Sequence, residues 1–258
     1  MPNEPALGPG LILSFLLTLS RIVGTFAFVP IPGIKNGPDA ARILVAIALT
    51  VALFPFWPAP PEINPSGGTL AVWILSELTV GAGAGLAVSF LLEGFQFTGQ
   101  MIAQQAGYAF ATSIDPNSQA DSGVLLVIAQ LFGGCLFFAA GLDLQVLRCL
   151  AASLQSIPPG SYAVSASAIQ SLIHLGGGIF TLGLRLAMPE MALLLFIDLC
   201  FAILGRMLPQ IQFLPLSFPL KMLAGILVLS LTLAVFPMVF QGAAEHVIGY
   251  LRGMARLQ

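Results

Sequence analysis

Charge is scarce in this 258-residue chain: Asp, Glu, Lys and Arg make up 8% of it, where a soluble domain carries roughly 25%. That scarcity excludes an ordinary water-soluble fold, whose surface must be polar enough to cover its core, whereas a chain facing lipid needs little polar surface. The nine Lys and Arg are scattered along the whole length and the net charge is −2, so the basic patch that nucleic-acid binding requires is missing. Nucleic acid is not an expected partner.

Cysteine and histidine are nearly absent. Cys135, Cys149 and Cys200 are odd in number, sit in apolar surroundings and show no CxxC or Cys/His spacing, so they read as small hydrophobes. His174 and His246 stand alone, without ligand or nucleophile partners at helical spacing. No Gly-x-Ser-x-Gly elbow and no P-loop occurs, and GLDL (Gly141 to Leu144) lacks the second glycine of a GxGD signature. The glycines of GAGAGLA (Gly81 to Ala87) fail the dinucleotide pattern because Leu86 stands where the third glycine belongs. No catalytic residue, cofactor or metal is expected, and the chain reads as a non-enzyme.

What is present is apolar bulk: AVILMFWYC residues make up 57% of the chain. A helix needs about 20 predominantly apolar residues to span a bilayer. Six stretches approach that: Leu7 to Val29, Arg42 to Trp57, Leu70 to Leu92, Val124 to Leu142, Ile169 to Leu204, and Met222 to Gln241. The second is short, and the fifth is long enough to expect breaks at Pro189 and at Gly176-Gly177-Gly178. Turn chemistry marks the connections at Pro30 to Asp39, Pro58 to Gly68, Ile157 to Gly160 and Leu208 to Lys221. Met1 to Gly10 holds Glu4, no basic residue and no clear cleavage site, so the first hydrophobic helix is expected to stay. The expectation is an all-α, polytopic membrane protein of helical hairpins with broken helices, one membrane unit filling residues 1–258.

Ionisable residues interrupt the apolar runs. Arg21, Glu77, Arg185, Glu190 and Asp198 lie inside or at the edge of them, where a charge costs about 2.5–3.5 kcal/mol on insertion scales. Such groups need partners, and they read either as a proton or ion relay or, as the favoured reading, as interior ion pairs that lock helices or subunits together, such as Glu190 with Arg185 or Asp198 with Arg206, with Lys221 a further candidate partner of Asp198. Gly81 and Gly85 form a GxxxG pair on one helical face and let another backbone come close. In GFQFTGQMIAQQAG (Gly94 to Gly107), Gln96, Gln100 and Gln104 recur every four residues. On a helix they align on one face, and uncharged amides there suit protein contacts or a wet lumen.

The next stretch, YAFATSIDPNSQADSG from Tyr108 to Gly123, has no Lys or Arg. Ile114-Asp115-Pro116-Asn117-Ser118 reads as a turn, since Asp and Asn bond the local backbone and the residue before proline avoids the helical region. The amide-faced segment is therefore read as a half-helix ending in a turn, part of a hairpin or re-entrant segment. Its tip carries Tyr108, Phe110 and Ile114 among small residues, apolar bulk that suits a narrow opening.

These residues, in this order, resemble the FliR family of flagellar export-gate proteins, related to the T-type export component of virulence type III secretion systems. The resemblance runs over nearly the whole chain. It rests on Glu77 with Gly81 and Gly85; Gly99-Gln100 through Gly107 to Phe110 and Asp115-Pro116; Ile157-Pro158-Pro159-Gly160; Arg206-x-x-Pro209-Gln210; and Pro219-Leu220-Lys221. Pro30 with Gly33 and Arg42 adds to it. The chain departs from the family at Ala140-Gly141-Leu142-Asp143, where an Asn-Gly-His type turn is usual, and at Ser217-Phe218-Pro219, where Gly-x-Pro is common.

The resemblance implies one subunit joining several copies of FliP and FliQ in a pore at the centre of the basal body. That places it in the bacterial inner membrane, in contact with lipid, with FlhB and FlhA as neighbours, and with unfolded flagellar subunits passing through the pore. It further implies that residues of roughly Gly107 to Gly123 act as a plug, with Phe110 and Ile114 sealing and Asp115-Pro116 fixing the turn. Assembly and packing roles fall on Glu77, Gly81, Gly85, Asp198, Arg206, Pro209, Gln210 and Lys221. The alternatives are the equivalent subunit of a virulence system and, from the Pro189, Glu190 and Asp198 cluster, a secondary transporter.

Overall fold

The computed structural model describes residues 9–29, 39–58, 66–107, 124–158, 165–208 and 213–255. Among them the chain is all-α, with helices α1 (Pro9–Phe28), α2 (Asp39–Ala52), α3 (Gly67–Ala106), α4 (Val124–Ala139), α5 (Leu142–Ser156), α6 (Ala166–Met207), α7 (Phe213–Thr232) and α8 (Phe236–Met254). A single 3-10 turn, Phe54–Phe56, follows α2. Helices dominate because an apolar chain in lipid must satisfy its backbone groups internally.

Three described helices, α1, α3 and α6, are long and apolar enough to cross a membrane, and counting the interrupted pairs α4–α5 and α7–α8 as one span each gives up to five. The expected count of six contracts because α2 has only 14 residues, about 21 Å at 1.5 Å per residue, short of the roughly 30 Å hydrocarbon core.

Two expected interruptions are corrected. The Leu70 to Leu92 span and the amide-faced half-helix are one 40-residue helix, α3, about 60 Å long, roughly twice the hydrocarbon thickness. Gly94 between them is a packing contact rather than a stop: a Cβ there would meet Leu182 Cδ2 at 2.7 Å. Likewise α6 runs unbroken for 42 residues through Pro189 and the three glycines. Pro189 removes one backbone donor at an exposed position of the helix, and membrane helices tolerate that loss. Gly141, in contrast, does turn the chain: its φ of 64° at the start of α5 is a left-handed conformation that favours glycine.

The described residues fall into two compact units. The first draws on Met1–Phe90, Gly141–Gly176 and Ala244–Gln258, the second on Leu91–Ala140 and Gly177–Ala243. In the first, Ile22, Ala46 and Leu150 pack with Leu19, Phe26, Leu49 and Leu53. In the second, the Phe95 ring lies 5.7 Å from Phe236 and 5.3 Å from Phe240, and Phe132 lies 5.8 Å from Phe236. Much apolar surface stays uncovered: only 22% of the most apolar window of α6 is buried within the chain, which leaves that helix facing lipid or other subunits.

Candidate functional site

In the first unit, glycines bring α1 and α3 into backbone contact. A Cβ at Gly81 would overlap the carbonyl of Arg21, and one at Gly85 the carbonyl of Thr25; Gly24 answers from α1, where a Cβ would stand 2.6 Å from the Leu78 carbonyl. The expected GxxxG face is therefore a crossing point. The sequence signal marked only its α3 half, since Gly24 has no glycine four residues away.

That crossing sets Arg21 beside Glu77, one turn before Gly81 on the same helix. Arg21 Nε donates to Glu77 Oε2 at 2.6 Å, with both side chains almost wholly buried. The other guanidinium nitrogens turn to the end of α5: Nη1 donates to the Ser153 carbonyl at 2.5 Å and to its Oγ at 3.1 Å, and Nη2 to the Ile157 carbonyl at 3.4 Å. Carbonyls in the last helical turn lack intrahelical partners and carry the negative end of the helix dipole, so a buried cation is well placed there. Arg21 thus ties three helices and anchors the chain at Ile157, where the expected Ile157 to Gly160 connection begins; Pro159 and Gly160 lie outside the described residues. Sequence alone singled out both Arg21 and that turn but gave no sign that they meet.

In the second unit, the amide-bearing end of α3 packs on α6. A Cβ at Gly183 would stand 2.5 Å from the Phe97 ring, and Thr98 Oγ1 donates to the Gly94 carbonyl at 3.0 Å and to that of Gly183 at 3.4 Å. Gln100 and Gln104 are exposed and Gln96 is half-buried, so the amide stripe follows an open face of α3; Glu93, also exposed, extends it by a turn.

At the end of α3 the structure brings Asp198 to Lys221, one of the two cations the sequence offered it, rather than to Arg206. Asp198 Oδ1 pairs with Lys221 Nζ, and Asp198 Oδ2 accepts from Gln105 Nε2 at 3.4 Å. Lys221 Nζ also lies 6.0 Å from the centre of the Phe218 ring. Phe218 in turn packs on Gly107, whose φ is +84° and where a Cβ would meet the ring at 2.5 Å. The ring and the α6–α7 ion pair thus lie beside the turn glycine at the end of α3.

Of the sequence-near pairings, neither forms as expected. Asp198 takes Lys221 rather than Arg206, which is exposed in the last turn of α6. Arg185 is exposed, while Glu190 is buried with no hydrogen-bond partner. Both are i, i+5 or i, i+8 spacings along one helix, which do not place side chains side by side. Tyr108, Phe110, Ile114, Asp115 and Pro116, together with Pro209 and Gln210, lie outside the described residues.

Comparison with known proteins bears on the same residues. The chain is 29% identical to the flagellar biosynthetic protein FliR of Escherichia coli (strain K12) over 222 residues, 86% of this chain and 83% of that protein. It is 26% identical to the protein of the same name from Aquifex aeolicus (strain VF5), covering 86% of each. The Bacillus subtilis (strain 168) protein of that name is 26% identical over 258 residues, 95% of each chain. The stretches at Arg21, Glu77, Gly81 and Asp198 all fall within residues 12–247, matched by the family described as bacterial export proteins, family 1, and the chain belongs to that family.

Proposed function

We propose that this chain is a core subunit of the flagellar type III protein export gate. It assembles with FliP and FliQ, next to FlhB and FlhA, in the inner membrane within the basal body, and forms part of the pore through which unfolded flagellar proteins pass. The observation that carries this reading is the likeness to proteins named FliR over most of the length of both chains. The physical features agree with it: a helix about twice the membrane thickness, an open amide face suited to a wet lumen, and extensive apolar surface left for neighbouring subunits or lipid.

Closure of the pore is assigned to the segment from Gly107 to Gly123. Apolar side chains at a constriction resist wetting, which suits Tyr108, Phe110 and Ile114 to sealing, and Asp115-Pro116 to fixing the turn. Support comes from the foot of that segment, where Gly107 adopts a turn conformation against Phe218 and the Asp198–Lys221 pair lies alongside. Assembly roles remain with Glu77, Gly81, Gly85, Asp198, Arg206, Pro209, Gln210 and Lys221.

The test is mass analysis of the complex purified through a tag on this chain from its own cells. Co-purification of FliP and FliQ in fixed ratio supports the reading. Recovery with virulence-type secretion components favours the equivalent subunit of that system, and recovery of the chain alone under conditions that preserve membrane complexes contradicts an export-gate role.

A further inference from the structure

Glu190 is completely buried, and neither of its carboxyl oxygens has a hydrogen-bond partner among the described residues. Its Oε1 faces α7 at Gly225, 3.5 Å from where a Cβ would stand there, and Ala106 at the end of α3 closes the same spot from 3.6 Å. Gly225 offers the carboxyl no side-chain donor, and the Ala106 methyl on the other side of that position offers none either.

The charged groups on the surrounding elements are otherwise engaged or turned away. On α6, Asp198 is paired and Arg185 is exposed; on α7, Lys221 is bonded to Asp198; on α3, Glu93 is exposed and Gln105 donates its amide to Asp198. A carboxylate sealed in this way has lost its water and gained no countercharge, whereas the neutral acid leaves only an unmade hydrogen bond.

We propose that Glu190 is a proton-binding site that closes the contact between α6, α7 and the end of α3. The ligand is a proton delivered by hydronium: an O–H bond forms on the carboxyl, one O–H bond of hydronium breaks, and water is released. With the proton bound, the neutral acid packs against Gly225 and Ala106. Without it, an uncompensated carboxylate forces those helices apart until water reaches it. Because Ala106 directly precedes Gly107, proton occupancy bears on the residue where the helix ends. The proposal stands on burial and geometry and does not rest on the gate reading.

The experiment is infrared spectroscopy of the full-length chain in detergent, in H2O and D2O, comparing wild type with Glu190→Gln and Glu190→Leu, with melting curves across pH. The wild type should show a protonated-carboxyl carbonyl band at neutral pH that shifts in D2O and is missing from both variants. Both neutral variants should melt at or above the wild-type temperature. A proton held at Glu190 in the folded chain and released on unfolding contributes stability that falls as pH rises, so replacing Glu190 should remove that contribution from the wild-type pH profile. The same band in all three chains overturns the proposal, as does a melting temperature far below wild type, or failure to fold, in both neutral variants. Glu190→Leu keeps the test decisive if the amide alone is poorly tolerated.

Discussion

Two acids, Glu77 in the first unit and Glu190 in the second, are equally shielded from water and meet opposite surroundings. Glu77 faces a guanidinium that also donates to the Ser153 carbonyl and hydroxyl and to the Ile157 carbonyl, so the charge is matched and hydrogen-bonded. Glu190 faces Gly225, which has no side chain to offer it. The difference arises from backbone spacing. At the α1–α3 crossing, Gly24, Gly81 and Gly85 draw the helices together, so that a long cation reaches across; in the second unit Lys221 is taken by a half-exposed aspartate eight residues along α6 from Glu190. Buried charge is thus handled by pairing in one unit and, as proposed for Glu190, by protonation in the other.

Breaking the matched pair should have the largest effect. Arg21→Met leaves Glu77 buried without its partner, and loss of one member of a buried pair costs about 3–5 kcal/mol, read as a lower melting temperature of the purified chain. The double variant Arg21→Met with Glu77→Leu should recover much of that loss, because it removes the stranded charge. If the single variant melts like wild type, the contrast between the two acids collapses.

Next comes the crossing that makes the pair reachable. Gly81→Val would drive a side chain into the Arg21 carbonyl, and overpacking of this kind costs about 1–3 kcal/mol; the same melting assay reads it, together with weaker protection of Arg21 and Glu77 region amides from hydrogen exchange. At the foot of the following segment, Gly107→Ala forces a side chain into the left-handed region and against Phe218, a strain of about 1–2 kcal/mol. The smallest effect belongs to Asp198→Asn. Its carboxylate is more than a third exposed, and pairs open to solvent contribute about 0–1 kcal/mol. A loss for Asp198→Asn as large as that for Arg21→Met would show that burial does not separate the two units.

The membrane class, the helical architecture and the α3 half of the glycine crossing were legible because each depends on local composition and on spacing along one helix. Gln96, Gln100 and Gln104 were legible for the same reason. Helix continuity was not: Pro189 and Gly176-Gly177-Gly178 look like breaks, yet α6 runs through them, and the span from Leu70 continues into the amide-faced segment because Leu182 packs opposite Gly94. The partners of the buried charges were equally hidden. Arg21 with Ser153 is set by which helices cross; of the two cations considered for Asp198, the crossing selects Lys221, and the sequence-near choices, Arg185 and Arg206, point elsewhere on the same helix. Gly24 and Gly225 carry no motif and gain meaning only from the atoms facing them.

The central claim, a pore subunit whose own segment keeps the channel shut, is tested most directly by ion leak. Cells would carry this chain with Ala109 to Asn117 deleted, and membrane conductance would be measured alongside the amount of assembled complex. Raised conductance at normal assembly is the predicted result; wild-type conductance from fully assembled complexes would contradict the claim.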